Sequence, residues 1–177
     1  MTVNVRRATA ADASALAAVA AATFPLACPP HTTDEAKADF IATVLSEERF
    51  TEYLADPARD LLLAETDVGV VGYAMLVHGE PADADVASAI RMRPTIELSK
   101  CYVLPGHHGA GVAGLLMRAS LDAAAARKVE GIWLGVNEEN ERAQRFYGKH
   151  GFVKVGAKRF LVGDRLEHDW VMERLLA

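Results

Sequence analysis

TIELSKCYVLPGHHGAGVAGLLMRA, residues Thr95–Ala119, decides the fold. Its first part, Thr95–Val103, reads as a long strand rich in apolar and β-branched residues. Its last part reads as a helix opened by Gly109. Val112, Leu115, Leu116, Ala119 and Ala123 recur there at the helical period, and the pattern runs to about Lys128. Between the two lies HHGAGVAG, His107–Gly114. Gly109, Gly111 and Gly114 would let backbone approach a ligand closely, and a helix start leaves N–H groups unpaired for an anion. A pyrophosphate suits such a mouth. The plain alternative is a tight turn with close helix packing.

Outward from this segment the elements alternate. On the N-terminal side, Val3–Arg7 reads as a strand and Thr9–Ala22 as a helix that Pro25 should stop. Thr33 and Ser46 are N-cap candidates for two further helices, the first with Phe40, Ile41, Val44 and Leu45 on one face. Leu61–Glu65 and Val70–Val77, joined by a short Gly-bearing turn, read as a hairpin. Gly79–Arg93 reads as an irregular surface loop. On the C-terminal side, Ile132–Val136 reads as a strand, Asn140–Lys149 as a short helix, and Phe152–Val155 and Trp170–Leu175 as strands. Antiparallel strands thus precede a strand–helix–strand–helix–strand order, which is an α+β (mixed α/β) class in one domain over residues 1–177.

Composition narrows the function. Of 177 residues, 51% are hydrophobic and 24% charged, which excludes a disordered chain. Lys plus Arg number 19 against 24 Asp plus Glu, a net charge of −5. Such a balance gives no general attraction for nucleic acid or an anionic membrane, so neither is expected as a partner. Two cysteines cannot build a disulfide framework, and the Ala-rich run Ala10–Ala22 is too short to span a bilayer. A cytoplasmic protein with reduced thiols is expected. His107 and His108 are adjacent and the other histidines scattered, so no metal site is expected.

Gly109–Gly114 also spells the dinucleotide fingerprint G-x-G-x-x-G, with Glu138 and Glu139 following a later strand. Against that reading, Leu104–His108 separate the glycines from the strand, about a hundred residues precede it, and too little chain follows for a full dinucleotide sheet. The Gly-Lys-Ser/Thr ending of an NTPase loop is also missing.

The segment Val103–Ala119 resembles the acetyl-CoA loop of the GNAT superfamily of N-acetyltransferases, Gln/Arg-x-x-Gly-x-Gly/Ala, with His108 where Gln or Arg is usual. IWLGVNEENERAQRFYGKHGF, Ile132–Phe152, resembles the second signature of that superfamily: strand, Asn-x-x-Ala-x-x-Phe-Tyr, then Gly-Phe. Through these, FYGKHGFVKVGAKRFLVGD and DWVME, Pro94–Ala177 is similar to the bacterial spermidine/spermine N-acetyltransferases.

The resemblance implies a GNAT fold: a central, mostly antiparallel sheet with a splayed pair of parallel strands, flanked by helices. It implies acetyl transfer from acetyl-CoA to a primary amine, a polyamine among the candidates, by direct attack in a ternary complex. A CoA-binding sensor without catalysis is the alternative. The acceptor partner would be a small molecule, and a homodimer stays open. Cofactor contacts are implied at Cys101, Val103, His108, Gly109, Ala110, Gly111, Val112, Ala113, Gly114, Asn140, Tyr147 and Lys149.

An amine nucleophile must lose a proton, the carbonyl oxygen gains charge, and the leaving thiolate needs a proton. Glu97, a carboxylate interrupting an apolar strand, is the candidate base through a water; by alternation it shares a side with Ser99, Cys101 and Val103. The amide of Val103 is the implied oxyanion donor, at a bulge. Tyr147 is the implied general acid. Glu80, Asp83 and Asp85 are candidates for a cation-binding mouth.

Overall fold

The computed structural model describes residues 2–108 and 111–176. Among them the chain runs through β1 (Asn4–Arg7), a 3-10 turn (Ala10–Asp12), α1 (Ala13–Ala27), α2 (Asp34–Val44), α3 (Glu47–Ala55), β2 (Arg59–Thr66) and β3 (Gly69–His78). It continues through α4 (Ala84–Ala89), β4 (Thr95–Val103), α5 (Val112–Ala126), β5 (Gly131–Asn137), α6 (Glu141–Lys149), β6 (Val153–Val162) and β7 (Arg165–Leu175). The strands form one seven-stranded sheet in the order β1-β2-β3-β4-β5-β7-β6. Every neighbouring pair is antiparallel except β4 with β5. The mixed sheet with one parallel pair and helices on both faces is the GNAT fold that the resemblance implies.

Two hydrophobic layers hold it. On one face α5 sets Val112, Leu116, Met117 and Ala124 against Leu62, Ala74, Leu76, Ile96, Ile132 and Leu134. On the other, α1 to α3 set Leu16, Val19, Phe24 and Phe50 against Leu61, Leu63, Tyr73 and Met75. Leu61 to Ala64 are therefore buried on both faces of β2, which is why that stretch is a continuous apolar run rather than an alternating one. Thr33 and Ser46 cap α2 and α3 as expected, accepting from the backbone N–H groups of Ala36 and Arg49.

Four expectations change. Pro25 does not stop α1, which continues to Ala27. Phe24 packs into the core while its ring stacks on Phe40 at 4.4 Å, and these contacts offset the hydrogen bond that a proline forfeits. With the 3-10 turn, Ala10–Ala27 makes an 18-residue apolar stretch, long enough to cross a bilayer by length alone; Leu16, Val19, Ala20 and Phe24 pack against the sheet instead. The segment 79–93 is not wholly irregular: the carboxylate of Asp83 accepts from the N–H groups of Asp85 and Val86 and opens α4. Val86 and Ile90 then pack on Trp133 and Val171. Finally, β6 and β7 are much longer than read, because Gly163 with a φ of +64° begins a tight Gly-Asp hairpin turn.

Candidate functional site

β4 and β5 pair over only three positions, Thr95 with Gly131, Ile96 with Ile132 and Glu97 with Trp133. Beyond Glu97 the strands part, and a cavity of about 760 Å³ opens in the gap. Its walls include β4 from Glu97 to Val103, β5 from Gly135 to Asn137, Gly111, Ala113 and Gly114 at the start of α5, and Asn140, Ala143, Phe146 and Tyr147 of α6. A second cavity of about 440 Å³ meets it at Glu97, Ser99, Lys100 and Lys158.

Among the described residues, the N–H groups of Cys101 and Val103 on the edge of β4 turned to the gap have no backbone partner. Leu104 donates its N–H to Val71 of β3 at 2.8 Å. In an antiparallel pair the hydrogen-bonded and non-bonded positions alternate, so Val103, opposite Gly72, and Cys101, opposite Ala74, turn their N–H groups away from β3. Those amides point into the splay. The carbonyl of Val103 points there too, and His108 Nε2 lies 2.7 Å from its oxygen. His108 thereby ties the glycine loop back to β4.

The bulge lies at Ser99, not at Val103. Met75 faces Lys100 and Leu76 faces Leu98, so Ser99 is the extra residue of β4. One extra residue inverts the alternation beyond it. Leu98, Cys101 and Val103 lie toward the α5 layer, whereas Glu97, Lys100 and Tyr102 lie toward the α1–α3 layer, as Val77, Met75 and Tyr73 opposite them do. Glu97 therefore does not share a side with Cys101 and Val103, the one reading of this strand by simple parity that the structure overturns.

The charges around Glu97 are the least obvious part. Burial raises its carboxyl above the ordinary range, against the pull of Lys158 and Lys100. Burial also lowers the Lys100 ammonium to about 8. Asp169 of β7 is buried, one of its oxygens has no hydrogen-bond partner, and its carboxyl is pushed up to about 6 by desolvation. Gly135 leaves room for these groups: a Cβ there would stand 2.6 Å from Lys158 Cε and 3.3 Å from Asp169 Oδ2. Lys100, Lys158 and Asp169 are hard to single out from sequence, because the bulge hides the first and the other two sit on strands longer than their apolar runs suggest.

Of the other candidate residues, Tyr147 lines the large cavity beside Cys101, and desolvation holds its phenol well above the ordinary value. Cys101 is a free thiol that burial pushes up to about 12, so it is a packing residue rather than a thiolate. Asn140 caps α6 by accepting from Ala143 N–H at 3.1 Å and also faces the cavity. Gly111, with a φ of +75°, is the N-cap of α5. Val112 is fully buried in the core, so only its backbone could reach a ligand. Lys149 is exposed on the last turn of α6, outside the cavity wall. Gly109 and Ala110 lie outside the described residues. Arg142, on the first turn of α6, lines the cavity and was not among the sequence candidates.

The histidines are not all scattered. His31, from the loop after α1, lies with Nε2 2.6 Å from Glu167 Oε1 and with Nδ1 3.7 Å from Glu139 Oε2, and the three could together offer ligand atoms to a metal ion. The direct hydrogen bond to Glu167 satisfies that buried carboxylate without an ion. At the mouth, Glu80 pairs with Arg93 at 2.6 Å and Asp83 caps α4, so neither stands open for a cation.

Residues 22–152 match the model of the acetyltransferase (GNAT) family. An uncharacterized N-acetyltransferase of Mycobacterium tuberculosis is 49% identical over 165 residues, 93% of this chain and 98% of that protein. A phosphinothricin N-acetyltransferase of Streptomyces coelicolor is 32% identical over 101 residues, 57% of this chain and 54% of its own length. Among solved structures, a PaiA N-acetyltransferase from Thermoplasma acidophilum in complex with coenzyme A superposes with a TM-score of 0.78 at 18% identity, covering 99% of each chain. A spermidine N-acetyltransferase chimera involving Vibrio cholerae superposes at 0.68 with 19% identity, covering 99% of this chain and 96% of the other.

Proposed function

The chain belongs to the acetyltransferase (GNAT) family, and from that premise we propose that its splayed cleft passes an acetyl group from acetyl-CoA directly to a small primary amine. It is an acetyl-CoA-dependent N-acetyltransferase; the residue roles, the ternary complex and the acceptor are our inference, as is the reading of residues 1–177 as one acetyltransferase domain working in a reducing, cytoplasmic setting.

The observation that carries the inference is the run of unpaired β4 amides facing a cavity that Tyr147 also lines. An extended pantetheine arm can pair with Cys101 and Val103 as an added strand would. Gly111, Ala113 and Gly114, with the N–H groups at the start of α5, suit its diphosphate, since a helix N-terminus favours an anion. Arg142 and Lys149 are cationic candidates for the outer phosphates. Asn140 can cap α6 and still meet the arm.

For the chemistry, Glu97 takes a proton from the amine, through a water where the two do not touch, so that a neutral nitrogen attacks the thioester carbon. The N–H of Val103 donates to the carbonyl oxygen as charge builds on it. As the C–S bond breaks and the carbonyl re-forms, the sulfur takes a proton from Tyr147, and the proton shed by the new amide nitrogen passes through solvent to restore the phenol. Burial raises the phenol well above its ordinary value, which keeps Tyr147 protonated at neutral pH but weakens it as an acid toward the thiolate, so the proton moves only as charge builds on the sulfur. A polyamine is the acceptor suggested by the sequence resemblance.

The test is thiol release from acetyl-CoA with a panel of amines, beside a thermal shift with CoA alone. Amine-dependent release supports the transferase reading. A CoA shift with no release on any amine favours a sensor, and the absence of both responses overturns the reading of the cleft as a CoA site.

A further inference from the structure

We propose that the acceptor is a zwitterion, a small amine that also carries a carboxylate, with its nitrogen at Glu97 and its anion at Lys100 and Lys158. This rests on the transferase reading and concerns only which amine the site takes.

The two cavities meet at Glu97, Ser99, Lys100 and Lys158, so a molecule approaching Glu97 from the smaller one passes the two lysines. The bulge at Ser99 is what places Lys100 there: without it, strict alternation would turn Lys100 to the opposite face from Glu97. Among the described residues, the Lys100 ammonium makes no hydrogen bond and no ion pair, although it lines both cavities. The Glu97 carboxylate already pulls on this half-buried cation without a hydrogen bond between them, and a second anion brought to Lys100 would leave Glu97 to the incoming amine. Burial lowers the Lys100 ammonium to about 8, so at neutral pH it is still mostly charged.

The neighbouring groups add to the selection. Arg59 stands in the wall of the smaller cavity, tied to Asp56 at 3.0 Å and over the ring of Tyr53. Lys158 passes across Gly135 beside Asp169. Besides Glu97, the acids of the smaller cavity are engaged, Glu80 by Arg93 and Asp83 by the start of α4. Lys100, Lys158 and Arg59 outnumber the carboxylates Glu97 and Asp169 around this junction, which disfavours a second and third ammonium. The junction fits one amine and one anion in the same small molecule, since an ammonium–carboxylate contact strengthens where water is excluded.

The experiment compares kcat/KM for matched acceptors, free amino acids and 4-aminobutyrate against their amides, with spermidine in the same series. The spacing of amine and acid in the best acceptor then separates α-amino acids from longer ones. The free acids are expected to exceed their amides by about tenfold or more, and K100M to shrink that ratio to about twofold. K100R, which keeps the charge, should retain a larger ratio than K100M. A thermal shift with CoA checks that both variants fold, and K100Q replaces K100M if it does not. Amides or spermidine used better than the acids, or an unchanged ratio in K100M, overturns the proposal while leaving the transferase standing. No turnover with any amine overturns both.

Discussion

Glu97 of β4 faces Trp133 of β5 as the last rung of the parallel strand pair found among the described residues. Past that rung the strands diverge and the cavity begins, so the carboxylate stands at the root of the cleft. Trp133 packs behind it on Val86, Ile90 and Val171.

A buried base at this point makes a pH prediction. Burial raises the Glu97 carboxyl, so the ionised form that accepts a proton appears only at a pH above the ordinary carboxylate range. The acid limb of kcat/KM should rise with pH through that raised value. Glu97→Gln should remove the limb and lower kcat on the order of 10²-fold. A pH profile with the same limb in the variant would assign the base elsewhere, with Asp169 next in line.

Tyr147→Phe leaves the ring against Phe146 and Phe152 and removes only the hydroxyl. The expected result is a fall in kcat of roughly 10²-fold with acetyl-CoA affinity changed by less than about threefold. Steady-state kinetics beside a CoA titration separates the two quantities. Unchanged kcat removes Tyr147 from the chemistry.

Gly72 of β3 faces Val103 of β4. A Cβ there would lie 2.9 Å from the Tyr102 carbonyl oxygen, 3.1 Å from Leu116 Cδ1 and 3.3 Å from Val103 Cγ2. The first of these is backbone in a central strand and cannot turn aside. Gly72→Ala should destabilise by about 1–3 kcal/mol, read in urea unfolding, by forcing β4 away from β3. A variant as stable as the parent would mean that the sheet yields there at no cost.

Much of this could be read before the structure was known. The strand Thr95–Val103 carries the same bounds in both, and the caps Thr33, Ser46 and Asn140 sit where their side chains suggest, because a cap is a local hydrogen bond written in a few residues. What local pattern missed was set by tertiary contact. The bulge at Ser99 depends on the register against β3, so parity along β4 assigned Glu97 to the wrong side and passed over Lys100. His31 meets Glu167 across 136 positions of sequence, which no spacing rule reaches. Pro25 reads as a stop only until Phe24 is seen stacked on Phe40.

Asp12 gives a stability prediction away from the site. Its carboxylate accepts from Arg6 Nη1 at 2.9 Å, from Arg6 Nη2 at 3.0 Å and from the Thr9 N–H at 2.7 Å. The Arg6 hydrogen bonds hold its pKa down to about 2. A lowered folded-state pKa contributes stability that is present above the unfolded value of about 4 and is lost as pH falls toward 2. Asp12→Asn should therefore melt lower than the parent at pH 7, with the gap closing between about pH 4 and pH 2. A gap that stays constant over that range would show that the contribution of Asp12 is not its charge.

The most direct measurement is a crystal structure with CoA bound. The expected result is the pantetheine arm alongside the amides of Cys101 and Val103, its diphosphate over the start of α5, and its sulfur within hydrogen-bond reach of the Tyr147 hydroxyl. CoA held elsewhere, or a Tyr147 hydroxyl turned away from the sulfur with the splay between β4 and β5 left empty, would contradict it.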